Sequence, residues 1–144
     1  MIVAIVRFIL GFVAAVLVAG LVQVLFVAGV DGLAFADEAR LESLGMLALL
    51  AATQAAVFAG PFAIVAAIVS SWLPVRSVLF FGGAGLAIAL AGFAAQFIGE
   101  MGDGTILNRY ALAAYAASGL AAGLVYWLVA VPKRRPATPP ASPA

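Results

Sequence analysis

Residues 8–30 read FILGFVAAVLVAGLVQVLFVAGV, a stretch with no charged side chain and a single amide, Gln23. A helix needs about 20 such residues to cross a hydrocarbon core roughly 30 Å thick. Because hydrocarbon offers no hydrogen-bond partners, the backbone must satisfy its own polar groups, and an α-helix does so within one segment. This stretch therefore predicts a transmembrane helix.

Three further apolar stretches are long enough to cross a membrane in the same way. Their bounds are about 44–69, 78–99 and 110–131. Short connections join the four stretches, at residues 31–43, 70–77 and 100–109. Since short connections join antiparallel neighbours, the pattern predicts an all-α fold, an integral membrane four-helix bundle with antiparallel up-down-up-down order. We assign residues 1–131 to this domain and expect the proline-rich, basic residues 132–144 to form a disordered cytoplasmic tail.

The composition excludes several classes of protein. Of the 144 residues, 67% are hydrophobic and 9% are charged, whereas a soluble domain carries about 25% charged residues. The formal net charge of +1 provides no basic surface for nucleic acid. The chain has no cysteine and no histidine, so it lacks thiol chemistry and the commonest metal and haem ligands. We therefore expect a protein of the lipid bilayer with no cofactor, no metal and no nucleic-acid partner.

The distribution of charges predicts the orientation in the membrane. With four crossings, both termini and the connection 70–77 lie on one side, together with most of the basic residues: Arg7, Arg76, Lys133, Arg134 and Arg135. The opposite side carries all six acidic residues: Asp31, Asp37, Glu38, Glu42, Glu100 and Asp103. Because basic segments are retained in the cytoplasm, we expect both termini to be cytoplasmic in a multi-pass protein of the cell membrane, the inner membrane if the source is bacterial.

Local signals refine this topology. Proline removes one helical hydrogen bond, so the pair Gly60 and Pro61 predicts a kink in the second helix. Asp37 is a predicted N-cap for a helix that continues into the second span, and Asn108 is a predicted N-cap for the fourth helix. A small-x-small sequence ends at Ala36, which leaves open the cleavage of the first span as a signal peptide, although its apolar region is too long for one.

Small residues recur along the predicted spans at the spacing of one helix face. Helices in lipid pack through small residues because these allow close approach of the backbones. The candidate packing residues are Gly11, Ala15, Ala19, Gly85, Ala89, Gly92, Gly119 and Gly123. They predict a tight bundle, either within one chain or between copies.

Uncharged polar side chains within the spans are the candidate functional residues: Gln23, Thr53, Gln54, Gln96, Tyr115 and Ser118. An unpaired amide is costly in hydrocarbon, so each should find a partner. We interpret the set as an interhelical polar cluster, with the lining of a pore or binding pocket as the alternative. We place Gln23 and Gln96 in the outer part of their spans, and Gln54 and Ser118 nearer the middle.

These features favour a non-enzymatic membrane protein, either an accessory or assembly subunit that packs against a partner protein or a homo-oligomer. The alternative is a passive channel or facilitator for a small neutral solute, since no charged residue lies well inside a span. A third hypothesis is a membrane enzyme that acts on a lipid. No motif joins a nucleophile, a base and an orienting group, so we expect no catalytic residues.

Overall fold

The computed structural model describes residues 2–72, 77–99 and 109–131, and within them every side chain except those of residues 70, 71 and 97–99. Four α-helices make up this part of the chain. They are α1 (Ile2–Ala34), α2 (Glu38–Trp72), α3 (Val78–Gly99) and α4 (Arg109–Ala130). The predicted all-α fold with four helices that pack against each other is confirmed.

All four helices are long and apolar enough to span a membrane. The bounds of α3 and α4 match the predicted spans to within one residue, whereas α1 and α2 continue beyond theirs. The connection between α1 and α2 is consequently reduced to residues 35–37. Many large apolar side chains point outward, including Val57 at 76% exposed and Leu79 at 82%. Soluble monomers rarely expose such continuous apolar surface, so the exterior matches a hydrocarbon solvent.

The predicted N-cap at Asp37 is confirmed. The Arg40 backbone N–H donates to Asp37 Oδ1 at 2.9 Å, and α2 begins at the next residue, Glu38. The carboxylate thereby satisfies an amide that has no partner within the helix, and its charge favours the helix N-terminus. Several other predictions lie outside the described residues: the Asn108 cap, the connections around 73–76 and 100–108, and the tail 132–144.

A break in α1 at Gly29 was not predicted from the sequence. Gly29 has φ 71° and ψ 160°, which are not helical angles. This region is populated essentially by glycine alone, because a Cβ would clash there. Close to the break, the Tyr110 hydroxyl of α4 donates to the Phe26 carbonyl oxygen, and the two rings pack with centroids 5.5 Å apart. Tyr110 thus supplies a donor where the helical ladder is interrupted.

Glycines determine which helices approach most closely. A methyl group added to Gly11 of α1 would lie 2.8 Å from Ala130 Cβ of α4, and one added to Gly20 would overlap the Ala48 carbonyl oxygen of α2. A methyl group on Gly85 of α3 would likewise overlap the Gly119 carbonyl oxygen of α4. The small-residue surfaces are therefore used inside this chain, where backbones touch.

The pattern of contacts leaves the bundle open along one side. α1 packs extensively against α2 and α4, and α3 packs against α4. α2 and α3, in contrast, touch each other only sparsely. The helices are therefore arranged in the order α2, α1, α4, α3, and a gap separates the two outer helices. This gap positions the candidate site.

Candidate functional site

A groove lies between α2 and α3, and α1 and α4 form its floor. Its volume is about 920 Å³, within the range of about 300–1,000 Å³ that is typical of small-molecule sites. Alanine and glycine make up much of the lining on all four helices, for example Ala19, Ala59, Gly85 and Ala122. Because these side chains are short, the open space is a consequence of the same residues that allow close packing elsewhere.

The structure brings all six polar residues singled out from the sequence to this groove. Gln23 lies on α1, Thr53 and Gln54 on α2, Gln96 on α3, and Tyr115 and Ser118 on α4. Gln23 and Tyr115 are half-buried, whereas Thr53, Gln54 and Gln96 are exposed. The sequence did not predict that all six residues lie together, because Gln54 does not share a helix face with the alanine-rich stripe that includes Ala52.

Four of the six polar side chains take part in hydrogen bonds across or along helices. The Tyr115 hydroxyl donates to Gln96 Oε1 at 2.5 Å and so connects α4 to α3. Ser118, which is only 2% exposed, donates from Oγ to the Tyr115 carbonyl oxygen at 2.9 Å. Thr53 Oγ1 donates to the Leu49 carbonyl oxygen at 2.8 Å. The hydroxyls of Ser118 and Thr53 are therefore satisfied by their own helices.

The amides are less completely paired. Among the residues that the structure describes, the side chains of Gln23 and Gln54 form no hydrogen bond, and Gln96 Nε2 forms none either. A glutamine side chain offers two donors and an acceptor with two lone pairs. The groove therefore contains several free donors and acceptors but no formal charge on these groups.

Aromatic side chains line the opposite part of the groove. Phe81 of α3 and Tyr126 of α4 have ring centroids 5.6 Å apart, and Phe8 of α1 packs on both Tyr126 and Phe12 at 6.2 Å. We call Phe12, Phe81 and Tyr126 the aromatic end, since all three line the groove. We call Gln23, Gln54, Gln96 and Tyr115 the polar end. Sequence reasoning missed the aromatic end, because phenylalanine in an apolar span carries no signal of its position.

Phe58 of α2 crosses the groove between these two ends. A methyl group added to Gly92 of α3 would lie 3.2 Å from the Phe58 ring, so this glycine makes room for the ring. Phe58 also packs on Phe62 of the same helix, with centroids 5.4 Å apart. The Phe58–Gly92 contact is therefore a point at which α2 reaches α3.

The groove lining consists of apolar, amide and hydroxyl-bearing side chains. Among the described residues, the groove is lined by no Asp, Glu, Lys or Arg, and no group of three or more acidic side chains could hold a metal ion. Amides and hydroxyls can accept and donate hydrogen bonds to an uncharged ligand. The remaining surface can contact hydrocarbon.

The helix-packing candidates are distributed over several contacts. Gly11, Ala15 and Ala19 of α1 are buried, as are Gly119 and Gly123 of α4. A methyl group added to Gly119 would lie 2.5 Å from Ala89 Cβ. Gly20 of α1 was missed, although it makes the closest approach to α2. Its position next to Ala19 in an alanine-rich run did not distinguish it.

Comparisons with known proteins add no assignment to this geometry. No family model matches the chain, and neither a curated protein nor a solved structure matches it.

Proposed function

We propose that this chain is a four-span integral protein of the cell membrane that acts without catalysis, as an accessory or assembly subunit. The observation that carries the proposal is the open groove between α2 and α3. A groove of about 920 Å³ that opens toward the bilayer will be filled, because empty space beside packed side chains forfeits van der Waals contacts. The subunit binds a membrane-embedded partner there.

Contacts at both ends of α1 support the antiparallel order. Gly11, near the start of α1, faces Ala130 at the end of α4, whereas Phe26 contacts Tyr110 at the start of α4. α1 also approaches α2 at Gly20 with Ala48 and again, more loosely, at Phe12 with Gly60. The proposal also includes a kink at Pro61, which lies inside α2. Proline has no backbone N–H to donate, so one helical hydrogen bond is lost there.

The proposed orientation is tested by cysteine labelling. The wild type has no cysteine, so single substitutions give no background. With both termini cytoplasmic, Gly104→Cys should react with a membrane-impermeant maleimide on intact cells, and Ser77→Cys should react only after permeabilisation. The reverse pattern would contradict the orientation, and labelling of both residues on intact cells would show that α3 does not cross the membrane.

The proposal of a non-enzymatic subunit is supported by the residue types near the groove. The whole chain lacks histidine, the most frequent general base, and cysteine, one of the common nucleophiles. The small-residue surfaces between α1, α2, α3 and α4 are already occupied within one chain. The groove between α2 and α3, which touch each other only sparsely, is therefore the surface left open for a membrane-embedded partner.

Crosslinking from adjacent positions tests whether the groove holds a partner. Ala95 lines the groove and is exposed, whereas its neighbour Ala94 is exposed but does not line it. A benzophenone maleimide attached to Ala95→Cys in native membranes should yield adducts of one or a few defined masses. The same reagent on Ala94→Cys should yield the mixture of bulk lipids. Identical mixtures at both positions would contradict the proposal.

A second candidate is a passive facilitator for a small neutral solute. It is favoured by the convergence of Gln23, Gln54 and Gln96 on one cavity. Amides can replace water around an uncharged solute, as the lining of a narrow path must. Solute flux into vesicles that contain the purified protein, with loss in Gln54→Leu, would favour this function over the binding of a partner. Unchanged flux across a panel of solutes would remove it.

A further inference from the structure

Within the proposed binding function, on which this inference rests, we infer that the groove binds an uncharged lipid. Its hydrogen-bonding head group lies at the polar end, and its hydrocarbon lies along the apolar lining toward the aromatic end. One end of this continuous groove carries hydrogen-bonding side chains and the other carries aromatic ones, just as such a lipid has a hydrogen-bonding head group and a hydrocarbon end.

Gln54 and Gln96 lie at the same end of the groove. Phe58 of α2 meets Gly92 of α3, which places these two residues at the same level of the groove. Gln54 precedes Phe58 by four residues, and Gln96 follows Gly92 by four residues. Residues four apart lie on one face of a helix. In helices of opposite direction, both amides therefore lie one turn beyond the contact on the same side, facing each other across the groove.

Gln23 and Tyr115 lie at this same end. Tyr115 is joined directly to Gln96 by its hydroxyl. Gln23 precedes Phe26 by less than one turn, and Phe26 contacts Tyr110. Since Tyr115 follows Tyr110 on a helix of opposite direction, Gln23 and Tyr115 lie at similar depth. All four helices therefore contribute one polar side chain to the polar end.

Each amide of the polar end needs a hydrogen-bond partner. In the described part of the chain, Gln23 and Gln54 lack one, as does Gln96 Nε2. Hydrocarbon cannot supply it, and an unsatisfied amide in that medium is costly. A hydroxyl or carbonyl head group supplies the missing donors and acceptors. Because the described lining contains no Asp, Glu, Lys or Arg, a charged head group would lie in the membrane without a counter-charge.

The shape of the groove favours a lipid over a membrane helix as the occupant. The lining on α2 extends from Leu50 to Ala67, about 25 Å at 1.5 Å per residue. A helix of that length is a rigid cylinder about 10 Å in diameter. Phe58 crosses the groove to Gly92, which obstructs such a cylinder. A flexible hydrocarbon chain can pass beside the ring.

A matched pair of photoactivatable lipids tests the inference. The full chain is reconstituted into phosphatidylcholine vesicles that contain either a photoactivatable diacylglycerol or the phosphatidic acid with identical acyl chains. After irradiation, labelled residues are mapped by mass spectrometry. We expect the diacylglycerol to label the groove lining, including peptides that contain Phe58 and Gly92, at least tenfold more than the phosphatidic acid does.

Variants of the polar end provide the second readout. The double variant Gln54→Leu with Gln96→Leu should lose about tenfold in diacylglycerol labelling, whereas Gln54→Asn with Gln96→Asn should retain most of it. Ser43→Ala is the control, because Ser43 lies outside the groove lining and its hydroxyl donates to the Ala39 carbonyl oxygen. Its labelling should equal that of the wild type. Circular dichroism and gel filtration in detergent verify that each variant is folded.

The outcomes separate this inference from the proposed function. Equal labelling of the groove by both lipids, or unchanged labelling in the double leucine variant, would overturn the uncharged head group while leaving a binding groove. A protein or second-copy adduct at Ala95→Cys together with an unlabelled groove would replace the lipid with a helix. An unlabelled groove without any defined adduct at Ala95→Cys would overturn both proposals.

Discussion

Gly85→Leu is expected to lower the free energy of unfolding by about 3 kcal/mol, the upper part of the range for overpacking a close contact. A methyl group alone at this position would overlap the Gly119 carbonyl oxygen and would lie 3.0 Å from Gly123 Cα. Both neighbours are backbone atoms of α4, so neither can rotate aside. The two helices must separate, and the contacts along the α3–α4 interface are weakened with them.

The matched control for this variant is Gly83→Leu. Gly83 lies on the same helix, is exposed, and has nothing within 4 Å of an added Cβ. Both substitutions raise helix propensity equally, so their difference isolates the interface. Unfolding in mixed micelles with increasing dodecyl sulfate gives the free energies. If the two variants unfold at the same detergent fraction, the close α3–α4 contact does not stabilise the bundle.

Gly29→Ala is expected to destabilise the protein by roughly 1–3 kcal/mol through the backbone alone. The φ of 71° and ψ of 160° at Gly29 disfavour every residue with a Cβ, while no atom lies within 4 Å of the position that a Cβ would occupy. Crowding therefore makes no contribution. If α1 instead straightens through the break, the hydrogen bond from the Tyr110 hydroxyl to the Phe26 carbonyl oxygen is lost.

Gly45→Ala provides the comparison for this second variant. Gly45 lies in α2, has no neighbour within 4 Å of an added Cβ, and is not among the glycines with positive φ. In an ordinary helical conformation, alanine is favoured over glycine by about 0.5–1 kcal/mol. Gly45→Ala should therefore be neutral or stabilising in the same unfolding assay. Equal free energies of unfolding for Gly29→Ala and Gly45→Ala would show that alanine is not disfavoured at the break.

The sequence alone was sufficient for the number and type of the helices, because both depend on local properties. A run of about 20 apolar residues must be helical where the backbone has no external hydrogen-bond partner. The start of α2 was equally predictable, since the capping interaction of Asp37 with Arg40 spans only three residues. The six polar residues from Gln23 to Ser118 were singled out by type alone, and the structure brings them to one groove; their role stays a prediction.

Tertiary structure decided which faces meet. In hydrocarbon, the hydrophobic effect does not favour the burial of one helix face over another. Each of these helices carries aliphatic and small residues on all of its faces. The sequence therefore did not distinguish Gly20, which contacts α2, from neighbouring small residues, nor did it indicate the break at Gly29. α1 and α4 pack closely against their neighbours at glycine, and α2 stays separated from α3. The groove that contains Gln54 and Gln96 results from this arrangement. Such contacts depend on pairs of distant residues, and only the folded chain brings them together.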